Sequence, residues 1–332
     1  MNTQTQSVIE QNTEKLIDLN ILEQINILYD KPLLELIFEA QTIHRQFHDF
    51  SKIQFCTLSS IKTGACPENC HYCPQSAHYK TAVEAHALLG TTEVLEQAKE
   101  AKNNGSTRFC MGASWRNLPE GKDFEQIVEL IKSVKALDLE VCCTLGMITE
   151  NQAYKLAEAG LHTYNHNIDN SPEFYKEIIS TRSFDDRIQT LNNIQAAGIK
   201  VCSGGILGMG ETNTDRKRFL AVLASLKPHY PDSVPINALV PIEGTPLAER
   251  PLLDPFDLIR MVAIARIIMP KAMVRLSAGR RSLTDEAQAL CFLAGANSIH
   301  TGEKLLTTPN AGLNHDYELI SKLGLKPLEA SL

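Results

Sequence analysis

No stretch of this chain runs apolar for the roughly 18 positions that a membrane-spanning helix needs. The opening MNTQTQSVIEQNTEK lacks the basic and apolar regions of a secretory leader. Positive charge is also short. The 32 Lys and Arg face 39 Asp and Glu, for a net charge of −7 and a pI near 5.8, which gives no support for nucleic-acid binding. These absences point to a cytoplasmic protein with no membrane and no nucleic acid as partner. No linker rich in Pro, Gly or Ser divides the 332 residues, a length that suits two average domains or one large α/β barrel. The nine cysteines are odd in number and spread over a long chain, so a disulfide framework is not expected. In a reducing compartment, clustered cysteines more often bind metal or act chemically.

Three of those cysteines form the densest motif, Cys66, Cys70 and Cys73 in CPENCHYC. No fourth cysteine follows nearby. A structural zinc site usually pairs two short Cys/His knuckles, and the next histidines, His78 and His86, are eight apart and supply none. Three thiolates can hold three irons of a [4Fe–4S] cube and leave the fourth iron open. An open metal position signals chemistry, whereas a closed ligand set signals structure.

Residues 1–45 read as an amphipathic helical extension, with an apolar stripe through Leu16, Ile17, Leu19, Ile21, Leu22, Ile25 and Leu28, set to cover one end of the main domain. After it a strand–loop–helix rhythm repeats. Candidate strands are Ile53–Ser59, Thr107–Met111, Glu140–Leu145, Thr163–Ile168, Lys200–Gly204, Ser233–Leu239, Met273–Ser277 and Ser298–Ile299. Several intervening helices stop at Ala-Gly, with Gly160, Gly198 and Gly295 as the stop signal. Alternating β and α implies a parallel sheet. Eight units predict an α/β fold of the (β/α)8 TIM type over residues 46–310, rather than an open doubly wound sheet. Residues 311–332 form a polar tail that closes over the barrel or trails from it.

Barrel chemistry sits at the C-terminal ends of strands. The CxxxCxxC motif follows the first strand, as a mouth-side site requires. Cys110, the Cys142-Cys143 pair and Cys202 lie within three further strands. Each alone reads as a small buried hydrophobe. Together, inward-pointing members could converge on the barrel axis and bind a second metal centre. Only one of Cys142 and Cys143 can join, because adjacent strand residues face opposite sides. Arg275, in the seventh strand, is costly there unless paired. It reads as a salt-bridge partner or as a companion to an anionic thiolate cluster. The Gly204–Glu211 run GGILGMGE is a tight turn or a ligand-approach loop and lacks a Walker Gly-Lys-Ser/Thr. The polar YNHNID run ending at Asp169 suits hydrogen bonding to a ribose or amide, or a simple turn.

The cysteine motif resembles the signature of the radical S-adenosylmethionine (SAM) superfamily. The runs IKTGACPENCHYCPQ (61–75), STRFCMG (106–112), YNHNID (164–169), KVCSGG (200–205), VPIN (234–237), VRLSAGR (274–280) and KLLTTPN (304–310) strongly resemble the biotin synthase family. The likeness covers about residue 45 to about residue 310, plus the KLGL segment at 322–325. It implies that Cys66, Cys70 and Cys73 ligate a [4Fe–4S] cluster whose open iron binds SAM. It implies that Cys110, Cys142, Cys202 and Arg275 ligate a [2Fe–2S] cluster that donates sulfur to dethiobiotin. The family pattern favours Cys142, while strand phase alone leaves Cys143 open. Tyr72, Gly112, Asn167, Asp169, Arg187, Gly204, Gly205, Ile206, Gly208 and Glu211 would serve SAM. Asn167, Asn237, Thr307 and Thr308 would serve the substrate, and Cys56 and Cys291 are left to the core. A flavodoxin- or ferredoxin-type electron donor and a homodimer are also implied. A lipoyl synthase, the nearest alternative, should carry cysteines near its N-terminus, and residues 1–55 have none.

Overall fold

The computed structural model describes residues 16–329, so the first 15 positions of the expected helical extension and the last three of the tail lie outside it. Helices α1 (Leu19–Tyr29) and α2 (Leu33–Phe47) open the described chain. Eight strand–helix units follow. The strands are β1 (Lys52–Lys62), β2 (Arg108–Ala113), β3 (Glu140–Thr144), β4 (Thr163–Asn165), β5 (Lys200–Cys202) with β6 (Gly205–Leu207), β7 (Ser233–Ala238), β8 (Met273–Leu276) and β9 (Ser298–Thr301). All neighbours pair in parallel, and β9 returns to β1, with Cys56 opposite His300, which closes the barrel. The TIM-type expectation holds.

Between the strands run α3 (Thr91–Asn103), α4 (Lys122–Lys135), α5 (Glu150–Ala159), α6 (Pro172–Ile178), α7 (Phe184–Ala196), α8 (Asn213–Ser225), α9 (Pro255–Ile268) and α10 (Asp285–Leu293). Thr149, Ser183 and Thr212 start α5, α7 and α8 with reciprocal capping boxes. Gly160, Gly198 and Gly295 take φ of 95°, 72° and 103°, the left-handed stop read from the sequence.

Two differences from the expected layout have physical causes. The N-terminal helices do not cap an end: α1 packs on α8 and α2 on α9, outside the helical ring. This leaves α9 buried on all sides, from Met261 to Ile267. The fourth strand stops at Asn165, short of the expected Ile168. There Asn167 Oδ1 accepts from Gly204 N (3.1 Å), so a side chain replaces the ladder. The fifth strand is interrupted at the same level. A Cβ on Gly204 would lie 1.9 Å from Pro235 O, and one on Gly205 2.3 Å from Asp169 O, so only glycine permits this approach.

The C-terminal segment closes both ends. The hairpin β10 (Lys304–Leu305) and β11 (Thr308–Pro309) lies at the mouth. After α11 (Leu313–Lys322), β12 (Lys326–Pro327) pairs with the start of β1. The buried Arg280–Asp316 ion pair, at 2.7 Å, ties α11 to the barrel. No described helix is long and apolar enough to cross a membrane.

Candidate active site

The loop after β1 carries Cys66, Cys70 and Cys73, and its shape is set by bonds to a distant loop. Asn69 Oδ1 accepts from the backbone N–H of Ser180 (3.0 Å) and Thr181 (3.2 Å), while Asn69 Nδ2 donates to Ser180 Oγ at 2.7 Å. Buried Glu68 faces Arg182 at 3.7 Å and Arg116 at 3.4 Å. Within the loop, Cys66 N–H donates to Gln75 O (3.0 Å), Ala77 N–H to Cys66 O (2.8 Å) and Cys73 N–H to Cys70 O (3.0 Å). Cys70 is buried; Cys66 and Cys73 are half-buried. Burial, reinforced by Cys70 and Cys66, pushes the Cys73 thiol up to about 12. Burial also raises Cys70, against the pull of Arg182, whose Nη2 lies 3.9 Å from its sulfur.

A cavity of about 260 Å³ runs from this loop into the barrel. Tyr72 and Cys73 line one end; Cys110, Cys142 and Arg275 line the other. Inward phase explains the second group. Leu58, Cys110 and Cys142 are lateral neighbours on β1, β2 and β3, and Asn165 and Cys202 are neighbours on β4 and β5. Cys143, one residue on, packs in the hydrophobic core outside the cavity, where burial raises its thiol. The pair is therefore separated by strand phase: Cys142 inward, Cys143 outward. The hydrogen bond with Cys142, then burial, holds the Cys110 thiol protonated well above its usual range.

Arg275 is fixed by side chains that sequence reasoning missed. Its Nε donates to Ser298 Oγ at 2.9 Å, its Nη2 to Gln54 Oε1 at 3.4 Å, and its Nη1 to Cys202 Sγ at 3.6 Å. Gln54 in turn donates to Glu140 (3.1 Å), which pairs with Arg108 at 2.8 Å. Burial works against the Arg275 charge, but the Cys56 and Cys202 sulfurs more than offset it. Cys56, read as core, is fully buried, and its sulfur lies 3.7 Å from Ser298 Oγ. The signal was available: Gln54 and Cys56 share the period-two phase of Leu58. Cys291 does sit in the core.

The other anticipated residues divide. Asn167 and Ile206 line the cavity, as do Asn237, Thr307 and Thr308. Asn237 is already engaged, donating to Gly205 O (2.9 Å) and accepting from Ala278 N (3.0 Å). Asp169, at φ 66°, pairs with Arg187, whose Nε also donates to Tyr175 OH at 3.0 Å. Glu211 is turned into its own loop. It accepts from Gly208 N (2.9 Å) and Met209 N (2.8 Å) and pairs with Arg216 (2.9 Å). Gly112 makes room for Leu306 of the mouth hairpin, since a Cβ there would stand 2.7 Å from its Cδ2.

Comparison with known proteins places this geometry. Residues 60–223 match the radical SAM superfamily and residues 235–326 the biotin and thiamin synthesis associated domain. A biotin synthase of Cytophaga hutchinsonii is 55% identical over 308 residues, 93% of this chain and 91% of that protein. One from Salmonella newport is 57% identical over 92% of this chain and 88% of its own. The chain belongs to the biotin synthase family. It is thus a radical SAM enzyme of biotin biosynthesis, and membership implies a [4Fe–4S] cluster and SAM. Among solved structures, methylornithine synthase superposes with a TM-score of 0.78 at 18% identity, covering 93% of this chain and 94% of that one. An FeFe-hydrogenase maturase of Carboxydothermus hydrogenoformans gives 0.79 at 18%, covering 98% and 80%. These establish the fold alone.

The donor set fits the implied groups. Among the described residues, no three His, Cys, Asp or Glu side chains gather closely enough to hold one metal ion. Clusters spread their thiolates wider than a single ion does. Three buried or half-buried cysteines on one loop, with a cation beside them, suit a cube of net negative charge.

Proposed function

We propose that this protein converts dethiobiotin to biotin by radical sulfur insertion, a sulfurtransferase reaction. The observation that carries the reading is one cavity lined by members of both sets, Cys73 from the loop and Cys110, Cys142 and Arg275 from the strands. Cys66, Cys70 and Cys73 would hold the [4Fe–4S] cluster. Cys110, Cys142, Cys202 and Arg275 would hold a [2Fe–2S] cluster. When bound, these groups supply an electron that breaks a C–S bond of SAM, a 5′-deoxyadenosyl radical that removes substrate hydrogen, and the inserted sulfur.

The chain's own residues do the rest. Tyr72 and Ile206 give the cavity an apolar wall between the two thiol sets, which keeps water from a reactive radical. Asn167 engages Gly204 N and Asn165 through Oδ1, which leaves its amide nitrogen to donate to a ribose or a ureido carbonyl. The Asp169–Arg187 pair offers a carboxylate and a guanidinium beside Cys70 and Tyr72, suited to a ribose hydroxyl and an amino-acid carboxylate. Asn237 serves the ureido ring, with its orientation fixed from two strands. Thr307 and Thr308, on the mouth hairpin, receive the substrate carboxylate. Gly112, Gly204, Gly205, Gly208 and Glu211 act through the backbone they shape.

The same reading divides the chain into an extension (1–45), a barrel (46–310) and a tail (311–332), working in the cytoplasm with a flavodoxin- or ferredoxin-type donor. It includes a homodimer. Leu19, Ile27, Leu34 and Phe38 on α1 and α2 are 59–76% exposed, an apolar face that a second copy would cover. The test is anaerobic reconstitution with iron, sulfide, SAM and a reductant. Biotin should form from dethiobiotin; SAM cleavage without biotin would refute the assignment.

A further inference from the structure

His300 lines the cavity from β9 and has a nitrogen without a partner. The residue is 7% exposed. Its Nδ1 meets Ser277 Oγ at 2.7 Å, yet its buried Nε2 has no hydrogen-bond partner among the described residues. Leaving a buried polar atom unpaired is costly. In a cavity wall, such an atom marks where a guest completes the bond.

The tautomer follows from Ser277. Its hydroxyl has His300 Nδ1 as its one side-chain partner among the described residues. If Nδ1–H donated to Ser277, the serine proton would itself be left buried and unpaired. If Ser277 donates instead, one bond satisfies both groups and the imidazole proton sits on Nε2. The ring is neutral, because burial and the cations Arg275, Arg108 and Arg280 all oppose a charge on it. A residue of the cavity wall thus carries a free N–H. It lies in register with Cys56 and one inward step above Ser298, the residue that holds Arg275. Arg275, Cys110 and Cys142 line the same cavity, so a [2Fe–2S] group held by them would present its sulfur to this wall.

We propose that His300 is a positioning residue that donates a hydrogen bond from Nε2 to a sulfur of the [2Fe–2S] group. The proposal rests on the function proposed above. A hydrogen bond to cluster sulfur favours the reduced, more negative state and raises the reduction potential.

The experiment is redox titration of the reconstituted full-length chain, following the [2Fe–2S] absorption, for the parent, H300F and H300Q. Iron and sulfide counts serve as the loading control. The potential should fall in H300F and recover toward the parent in H300Q, whose amide keeps a donor. Fully loaded variants with unchanged potential, or a raised KM for dethiobiotin as the sole change, would overturn the proposal. If H300F does not load, ¹⁵N NMR of the parent's imidazole decides. Protonated Nε2 that shifts on loading supports the bond, and unprotonated Nε2 contradicts it. If the parent shows no [2Fe–2S] bands, the function reading fails and takes this inference with it. Normal bands with unmoved potential sink this inference alone.

Discussion

The two thiol sets are built in opposite ways. Cys66, Cys70 and Cys73 ride on one loop, close in sequence, and the loop keeps its shape through side-chain bonds to residues more than a hundred positions away. Cys110, Cys142, Cys202 and Arg275 ride on four separate strands; Cys110 and Cys142 are neighbours in register, and Arg275 reaches Cys202 through its side chain, Nη1 to Sγ at 3.6 Å. The first arrangement suits a site that must admit a large ligand at the mouth. The second suits a site held rigidly in the floor, where each donor's position follows from backbone ladders.

The largest effects come from removing one donor from each set. Cys70→Ala should abolish SAM cleavage and lower the iron content by about four per chain, leaving the strand-borne group. Product analysis with an iron count checks this. Loss of both groups together would show that the sets are not independent. Next is the contrast within β3. Cys142→Ala should lose about two irons per chain and all biotin formation. Cys143→Ala should keep both, at a stability cost of about 0.5–3 kcal/mol seen in denaturant unfolding. The reverse pattern would mean that strand phase has been misassigned.

A smaller effect tests the loop's bracing. Asn69→Ala removes the acceptor of the Ser180 and Thr181 N–H groups, for about 0.5–1.5 kcal/mol per bond at this partly exposed site. Iron release to a chelator should quicken for the loop-borne group and stay unchanged for the strand-borne one. Equal release from both would place the rigidity elsewhere.

The effect that vanishes at neutral pH concerns His44 on α2. Burial, then Arg266, lowers its pKa to about 3, so the fold holds it neutral. The unfolded chain takes up the proton first, near pH 6.5. The stability is therefore whole above that pH and is lost as pH falls toward 3, as much as about 5 kcal/mol at 1.4 kcal/mol per unit. His44→Leu should flatten unfolding stability against pH across this window. Because α2 packs on α9 and α10, away from the Cys66–Cys73 loop, acid unfolding should release both groups together, unlike Asn69→Ala.

The loop-borne set was legible because its donors are contiguous. The barrel was legible from its repeating rhythm, with Gly160, Gly198 and Gly295 marking helix ends. The strand-borne set was legible as strand cysteines able to converge on the axis, and its full membership only as a resemblance. Choosing Cys142 over Cys143 needed the register of β2 on β3, and spacing does not encode register. Gln54, Ser298 and His300 escaped because strand phase shows which face a polar residue takes and not which partner it meets. Glu211 shows the converse. It stands in a glycine-rich run that suggests a ligand, and its carboxylate is taken by its own backbone and Arg216.

The central claim is that one barrel carries two independent iron–sulfur groups. An anaerobic iron and sulfide count, taken with an absorption spectrum on the parent chain and on Cys142→Ala, tests it most directly. The account predicts about six irons per parent chain and about four in the variant, with [2Fe–2S] bands in the parent alone. About four irons in both, with identical spectra, would contradict it.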